Sequence, residues 1–350
     1  MPVWDFRAES FGPFLPFVED EEVTDINYNG QDTWIDHLKK GRFQVDLPIT
    51  PEFVNQFATR ISNVVSKSFN KSNNLLEAET RTLRISILHS SVANTGTSIS
   101  IRKTIPKRRL TADGMLKEEY CSKEILCFLE NCVHAHLNII MTGLPGSGKT
   151  ELLKYLTQFI PAYERVITIE DNLEIHYRAI NPGKDCVELK VDEVFFDYTK
   201  AIKSCLRQNP KWIMLSEARS VEVKYLLEAM STGTYCLTTL HTDDVRKVPD
   251  RIQNMTKDNV TAQRMENDVY SFVDMGILLR QRMDESGVIR RYMDQVCFFS
   301  REEEKNKIEM VMEDGKIVNR IVPRGIMRKF RDAEIRHPFG EGKSYEMYPS

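Results

Sequence analysis

The chain has 350 residues, 41% of them hydrophobic and 28% charged, with a formal net charge of −3. That length suggests about two domains, each able to bury a core, and the near-balanced charge excludes a global positive field that would draw the whole protein to nucleic acid or anionic lipid. No apolar run approaches the roughly 20 residues of a membrane span, and the opening MPVWDFRAESFGPF lacks a basic-then-apolar leader pattern, so a cytoplasmic location is expected.

The first part reads as a small mixed domain. VTDINYNGQDTWID alternates apolar and polar residues around Asn29-Gly30, a hairpin signal because both turn positions tolerate positive φ. PEFVNQFATRISNVV places Phe53, Phe57 and Ile61 at helical spacing, followed by Val64 and Val65. LRISILH and SISIRK then read as strands, giving a sheet with a helix on one face. RKTIPKRRLTADGM, with Pro106, Gly114 and the basic residues Arg102, Lys103, Lys107, Arg108 and Arg109, reads as a linker. Such a run is either a solvated connector or the border of a phosphate site.

After Ser122 the pattern becomes α/β. LNIIMT is a strand, and KTELLKYLTQFI a helix with Leu152, Leu153, Leu156, Phe159 and Ile160 on one face. RVITIE, WIMLSE and TYCLTTLH are further short apolar runs ending in polar chemistry, and SVEVKYLLEAMSTG is a helix closed by Gly233. Strands alternating with helices point to a mainly parallel sheet with its site along the strand C-termini. ILLRQRMDESGVIRRYMDQVCFF and IEMVMEDGKIVNRIV read as later hairpins, and the tail after Arg324 as polar. No internal repeat or low-complexity segment is present in the sequence. Cys121, Cys127 and Cys132 lack the paired spacing of a zinc ribbon and read as packing residues of a reduced compartment. His134 and His136 read as ordinary residues before a strand.

GLPGSGKT, Gly143 to Thr150, fits G-x-x-x-x-G-K-[ST]. A match arises by chance in about one chain of this length in a hundred, and here it follows a strand and opens a helix, as a phosphate loop must. Gly143, Gly146 and Gly148, with Pro145 and Ser147 between them, let backbone N–H groups turn toward phosphate oxygens at a helix N-terminus. Lys149 should reach the β- and γ-phosphates and the Thr150 hydroxyl should ligate Mg²⁺. Three strand ends supply further chemistry: Glu170, Asp171 and Glu174 in ITIEDNLEIH, Glu217 and Arg219 in LSEAR, and His241 in TTLHTDD.

In this order and wording the motifs resemble the type II/type IV secretion ATPases, the motors of pilus assembly, type II secretion and conjugative type IV secretion. Gly143–Thr150 matches that family's phosphate loop, Glu170-Asp171-Glu174 its acidic box, Ser216-Glu217-Ala218-Arg219 its G-E-x-R motif, and Thr239-Leu240-His241-Thr242 its histidine box. LRQNPKWI with Arg207 matches a further family phrase. VTDINYNG and SISIRK resemble the N-terminal domain of the tight-adherence (Flp) pilus and type IV secretion branch. The resemblance runs from about Phe14 to Phe299. Departures are Leu144 and Pro145 where Gly and Thr are usual, Glu151 where a second threonine is common, Ser216 in place of glycine, and a degenerate segment before Arg84.

The resemblance implies an N-terminal α+β domain over 1–103, a linker over 104–121, a RecA-like P-loop NTPase domain over 122–300, and a C-terminal hairpin and polar tail over 301–350. It implies a homo-hexamer, ATP and Mg²⁺ as cofactors, with ATP held between the two domains of a subunit and approached by Arg84 and Arg102. Thr150 and, through water, Glu217 would hold Mg²⁺. Glu170 would orient or deprotonate water, with Glu170 and Glu217 able to exchange roles. Pro145, Ser147 and Glu151 would line the nucleotide, Arg219 would belong to the catalytic set, and His241 would sense the γ-phosphate. The partner implied is an inner-membrane platform protein, with peripheral membrane association through it and no direct nucleic-acid contact. Two other functions fit the motifs: a RecA-like nucleic-acid motor of conjugative DNA transfer, and a weakly hydrolysing nucleotide-bound scaffold.

Overall fold

A computed structural model describes residues 7–192, 194–220, 222–255 and 259–340. The chain divides into two compact units, Met1–Pro106 with Met283–Arg290, and Lys107–Arg282 with Arg291–Ser350.

The first unit holds helix α1 (Leu15–Glu19), strands β1 (Val23–Tyr28), β2 (Thr33–His37) and β3 (Gly41–Val45), helix α2 (Pro51–Val65), and strands β4 (Leu75–Glu79), β5 (Leu83–Leu88) and β6 (Ser98–Lys103). They form one sheet in the order β3-β2-β1-β6-β5-β4. The Asn29-Gly30 turn joins β1 to β2, with Gly30 at φ +100°. Helix α2 starts where Thr50 accepts from the Phe53 N–H and stops at Ser66 in the left-handed region. Its Val54, Phe57, Ala58 and Ile61 pack on Ile26, Ile35, Ile85 and Ile101 of the sheet.

Because strand side chains alternate between faces, the level next to that apolar row points the other way. There Arg42, Asp36, Asp25, Arg102, Arg84 and Glu79 are successive cross-strand partners. Arg84 and Arg102 therefore stand opposite each other. Like charges so placed repel, and acids on either side offset this: Arg102 Nε donates to Asp25 Oδ1 at 2.8 Å, and Arg84 lies 3.5 Å from Glu77. The sequence placed residues 283–290 within the later α/β hairpin. Instead they belong to the first unit, where the Ile289 N–H donates to the Lys39 carbonyl at 2.7 Å.

The second unit is α/β. In chain order it contains α3 (Ala112–Lys117), α4 (Lys123–His134), β7 (Ile139–Thr142), α5 (Lys149–Leu156), β8 (Val166–Glu170), α6 (Tyr177–Ile180), β9 (Cys186–Lys190), α7 (Tyr198–Cys205), β10 (Trp212–Leu215), α8 (Glu222–Ser231), β11 (Tyr235–Leu240), α9 (Val248–Gln253) and α10 (Asn259–Phe272). Strands β12 (Met275–Met283), β13 (Ile289–Glu302), β14 (Lys305–Glu313) and β15 (Lys316–Ile317) and helix α11 (Arg324–Asp332) follow. The sheet order is β15-β14-β13-β12-β7-β11-β10-β8-β9, and the run from β12 to β9 is parallel.

Successive residues of the buried strands feed two cores. Ile139 and Met141 join α4 and α5 on one side, and Ile140 joins α7 to α10 on the other. The second unit is thus a mainly parallel sheet covered on both faces, the RecA-like α/β class the resemblance implied, and the first unit is a smaller α+β domain. Strand β7 is central, with β11 on one side and β12 on the other, so the loop after it opens at a topological switch point, where ligands of open α/β sheets bind.

Two segments read as linker and tail carry structure. Residues 112–117 are helix α3, capped by Thr111. Helix α11 buries Ile326 and Phe330 in the first of those cores, and Lys329 Nζ lies 2.6 Å from the buried Asp274. Of the basic run, Arg108 donates to the carbonyls of Lys154 and Ile180 and to the Asn181 side chain. It satisfies carbonyls in the last turns of α5 and α6, so at this residue the run serves the packing of the unit.

Candidate nucleotide site

Strand β7 ends at Thr142 and α5 begins at Lys149, and the turn between them needs glycine. Gly143, Gly146 and Gly148 lie at φ +147°, +78° and +94°, and a Cβ on Gly143 would collide with the Ser147 side chain and the Leu279 carbonyl. Ser147 Oγ is buried there with no hydrogen-bond partner, an orphaned donor in a cradle of backbone N–H groups at a helix N-terminus, which fits a phosphate oxygen. Lys149 is buried and donates to the carbonyls of Gly143 (3.0 Å) and Leu144 (3.2 Å). Burial lowers its pKa to about 8, against the pull of Glu217 and Glu174.

From Lys149 a continuous run of polar contacts crosses the C-terminal ends of the strands. Lys149 Nζ is 3.3 Å from His241 Nδ1, just after β11, and His241 Nε2 is 3.2 Å from Glu217 Oε1, after β10. With Nδ1 facing an ammonium, the imidazole is neutral and carries its proton on Nε2. Burial and the Lys149 charge both lower its pKa. Arg219 joins Glu217 Oε2 (2.9 Å) to Asp171 Oδ2 (3.0 Å), just after β8. Burial works against the Arg219 charge, but the two carboxylates outweigh it and hold the guanidinium above its ordinary pKa. Glu222 fixes the chain after Arg219 by accepting the N–H groups of Arg219 (2.6 Å) and Ser220 (2.7 Å).

The acidic box divides its work. Glu170, the last residue of β8, is fully buried. Its Oε2 accepts the N–H groups of Glu174 (2.8 Å) and Ile175 (2.9 Å), and its Oε1 has no partner. Desolvation, only partly offset by those two bonds, raises its pKa to about 8, so at neutral pH it is a protonated acid. Glu174 is the member that faces the phosphate loop, its Oε2 3.5 Å from Thr150 Oγ1. Glu151 pairs along its helix with the buried Lys154 at 3.2 Å. Pro145 lies in the turn whose Ser147 N–H donates to the Leu144 carbonyl. A Mg²⁺ ion fits this donor set: one hydroxyl, a nearby carboxylate and the phosphates are what it takes, with water completing the octahedron.

The structure therefore gathers Gly143–Glu151, Glu170, Asp171, Glu174, Glu217, Arg219 and His241 around one loop. Arg84 and Arg102 lie in the first unit, side by side on its sheet. Sequence reasoning missed three participants. Tyr198, at the start of α7, accepts the Asp171 N–H (3.1 Å) and donates to Asp171 Oδ1 (3.3 Å). Arg291, on β13, donates to the Gly146 carbonyl at 2.8 Å and so braces the loop apex. Glu222 is the third. None lies in a motif, and only contact in space marks them.

Residues 72–320 match the family model described as type II/IV secretion system protein. Over 307 residues the chain is 27% identical to an uncharacterized protein of Bacillus anthracis, covering 84% of this chain and 69% of that one. Over 193 residues it is 28% identical to the type IV secretion system protein VirB11 of Bartonella henselae, covering 52% of this chain and 53% of that one. Among the next curated relatives the match spans about half of the relative's own length or less, from 31% to 53%. In fold the chain is similar to the ATPase DotB of Yersinia pseudotuberculosis, with a TM-score of 0.64 and 17% identity over 85% of this chain and 80% of that one.

Proposed function

Since the chain belongs to the type II/IV secretion system protein family, we propose that it is a Mg²⁺-dependent ATPase whose hydrolysis drives a pilus-assembly or secretion machine. The observation that carries this is the unbroken run Lys149–His241–Glu217–Arg219–Asp171, which ties the phosphate loop to the ends of three other strands. Phosphoryl transfer to water needs positioning and charge neutralisation more than covalent chemistry. In this reading the loop N–H groups, the Ser147 hydroxyl and Lys149 bind the phosphates. Thr150 and, through water, Glu217 would hold Mg²⁺, which would neutralise charge on the bound phosphates. Glu174, whose Oε2 lies 3.5 Å from Thr150 Oγ1, is proposed to orient the attacking water, and Glu170, buried and bonded to the Glu174 and Ile175 N–H groups, to position Glu174. His241 loses its lysine partner when Lys149 turns to the phosphates, which makes it the reporter of an occupied site. Arg102 and Arg84 are proposed to supply positive charge to the phosphates. The working form is proposed to be a homo-hexamer at the inner face of the membrane, acting on a platform protein there.

The test is ATP turnover by Lys149→Ala and Glu217→Gln. Each is expected to lose more than tenfold in kcat, since each removes a charge aimed at the transferring phosphoryl group or its metal. Wild-type turnover in both variants would mean that the site lies elsewhere.

A further inference from the structure

Beyond the run just described, the chain of contacts continues by one more step. Asp171 is held on its far side by Tyr198, whose hydroxyl accepts the Asp171 N–H at 3.1 Å and donates its own proton to Asp171 Oδ1 at 3.3 Å. Burial raises the pKa of that phenol, and the Ser216 side chain works in the opposite direction. Ser216 follows β10 and is buried, and its own carbonyl accepts from the Thr239 hydroxyl of β11 at 2.6 Å. A phenol oxygen has one proton and two lone pairs, and here the proton and one lone pair are both used by Asp171.

We propose that Tyr198 is a positioning residue for hydrolysis: it sets Asp171 so that Arg219 holds Glu217 in its working orientation. The physical reasoning is one of restraint. Arg219 is half exposed, and a long exposed side chain gains little from a single surface ion pair. Its planar fork can hold Glu217 in one orientation only if its other carboxylate partner is itself immobile. Asp171 is short, follows a buried strand, and is pinned at Oδ1 by the Tyr198 hydroxyl and the Asn172 N–H. Its remaining oxygen, Oδ2, faces Arg219. Removing the phenol hydroxyl frees Asp171 at both its amide and its carboxylate, and the loosening reaches Glu217 through Arg219. The effect should therefore fall on the chemical step, while nucleotide binding through the phosphate loop is untouched.

This inference rests on the proposed ATPase activity, so its test carries one readout that needs no hydrolysis. Tyr198→Phe is compared with wild type in ATP turnover and in hydrogen exchange of the peptide bearing the Asp171 amide. It is expected to lower kcat about tenfold with KM for ATP unchanged. Exchange at the Asp171 amide should speed up in the variant. Unchanged kcat, or KM rising in step with the fall in kcat, would overturn the proposal. A wild-type chain that hydrolyses no ATP would sink the ATPase reading, and the exchange data would still decide whether Tyr198 restrains Asp171.

Discussion

Glu170→Gln separates two roles that sequence alone left interchangeable, and its effect can be worked from the structure. Glu170 is fully buried, with one carboxyl oxygen bonded by two backbone N–H groups and the other unpartnered. Desolvation raises its pKa from 4.5 to about 8. A group whose folded pKa is raised binds more protons folded than unfolded, so its stabilising contribution is complete below the unfolded value and is lost as pH rises through the folded one. Between about pH 5 and pH 9 this one residue should cost the fold about 4 kcal/mol, a shift of one pKa unit being worth about 1.4 kcal/mol. Gln has the shape of the protonated acid, keeps an oxygen for the Glu174 and Ile175 N–H groups, and does not titrate. In urea denaturation at a series of pH values, Glu170→Gln should equal wild type near pH 4, exceed it increasingly from about pH 5 to pH 8, and keep a constant advantage above that. Its ATP turnover should stay within a few-fold of wild type, whereas Glu217→Gln should lose activity. Stability curves that fall in parallel would show Glu170 ionised in the fold. Loss of turnover as deep as that of Glu217→Gln would return the water-orienting role to Glu170.

Two further predictions concern helix α11. Phe330→Ala should destabilise the second unit by about 3–5 kcal/mol, as expected for a fully buried aromatic ring, while the exposed Arg331→Ala should stay within about 0.5 kcal/mol in the same thermal or urea melt. Lys329→Ala should cost about 2 kcal/mol at neutral pH by leaving the buried Asp274 without its ammonium. Burial already raises the Asp274 pKa, so the loss should shrink on acidification, and equal losses at pH 5 and pH 8 would refute the pairing.

What could be read from the sequence follows the range of the forces involved. The phosphate loop, its flanking strand and helix, the Asn29-Gly30 hairpin and helix α2 all rest on local periodicity and turn chemistry. The strand ends carrying Glu170, Glu217 and His241 could be picked out because a parallel sheet puts its polar tips on one edge. Helix α11 was misread for a local reason. Ile326 and Phe330 do stand at helical spacing, but six charged residues from Arg320 to Asp332 hide a two-residue apolar stripe. Tyr198 was beyond reach for another reason: 27 residues separate it from Asp171, and nothing in its neighbourhood distinguishes it from a tyrosine at the start of any helix. The division of labour within the acidic box was also invisible. Glu170 and Glu174 differ only in that one ends a buried strand and the other lies beyond the turn that the first one caps.

That last distinction bears on how the site would respond to a nucleotide. A ligand shifts a conformational equilibrium only by contacts that differ between the two states, so the groups that change partner carry the response. Lys149 is such a group. It is bonded to two carbonyls of its own loop and to His241, and phosphates compete for the same ammonium. His241 changes with it, because the charge that lowers its pKa moves away. It then becomes easier to protonate and a stronger partner for Glu217. Glu170, by contrast, is buried and held at one oxygen by two backbone N–H groups, and Asp171 is restrained by Tyr198. The site therefore has a movable half, Lys149 with His241, and a fixed half, Glu170 and Asp171 with their partners. Glu217 lies between the two, bonded to His241 on one side and to Arg219 on the other. In the proposed mechanism the arrival and loss of the γ-phosphate are felt at Glu217 as a change in His241 against the constant reference of Arg219. Such an arrangement can signal occupancy without moving the residues that orient water.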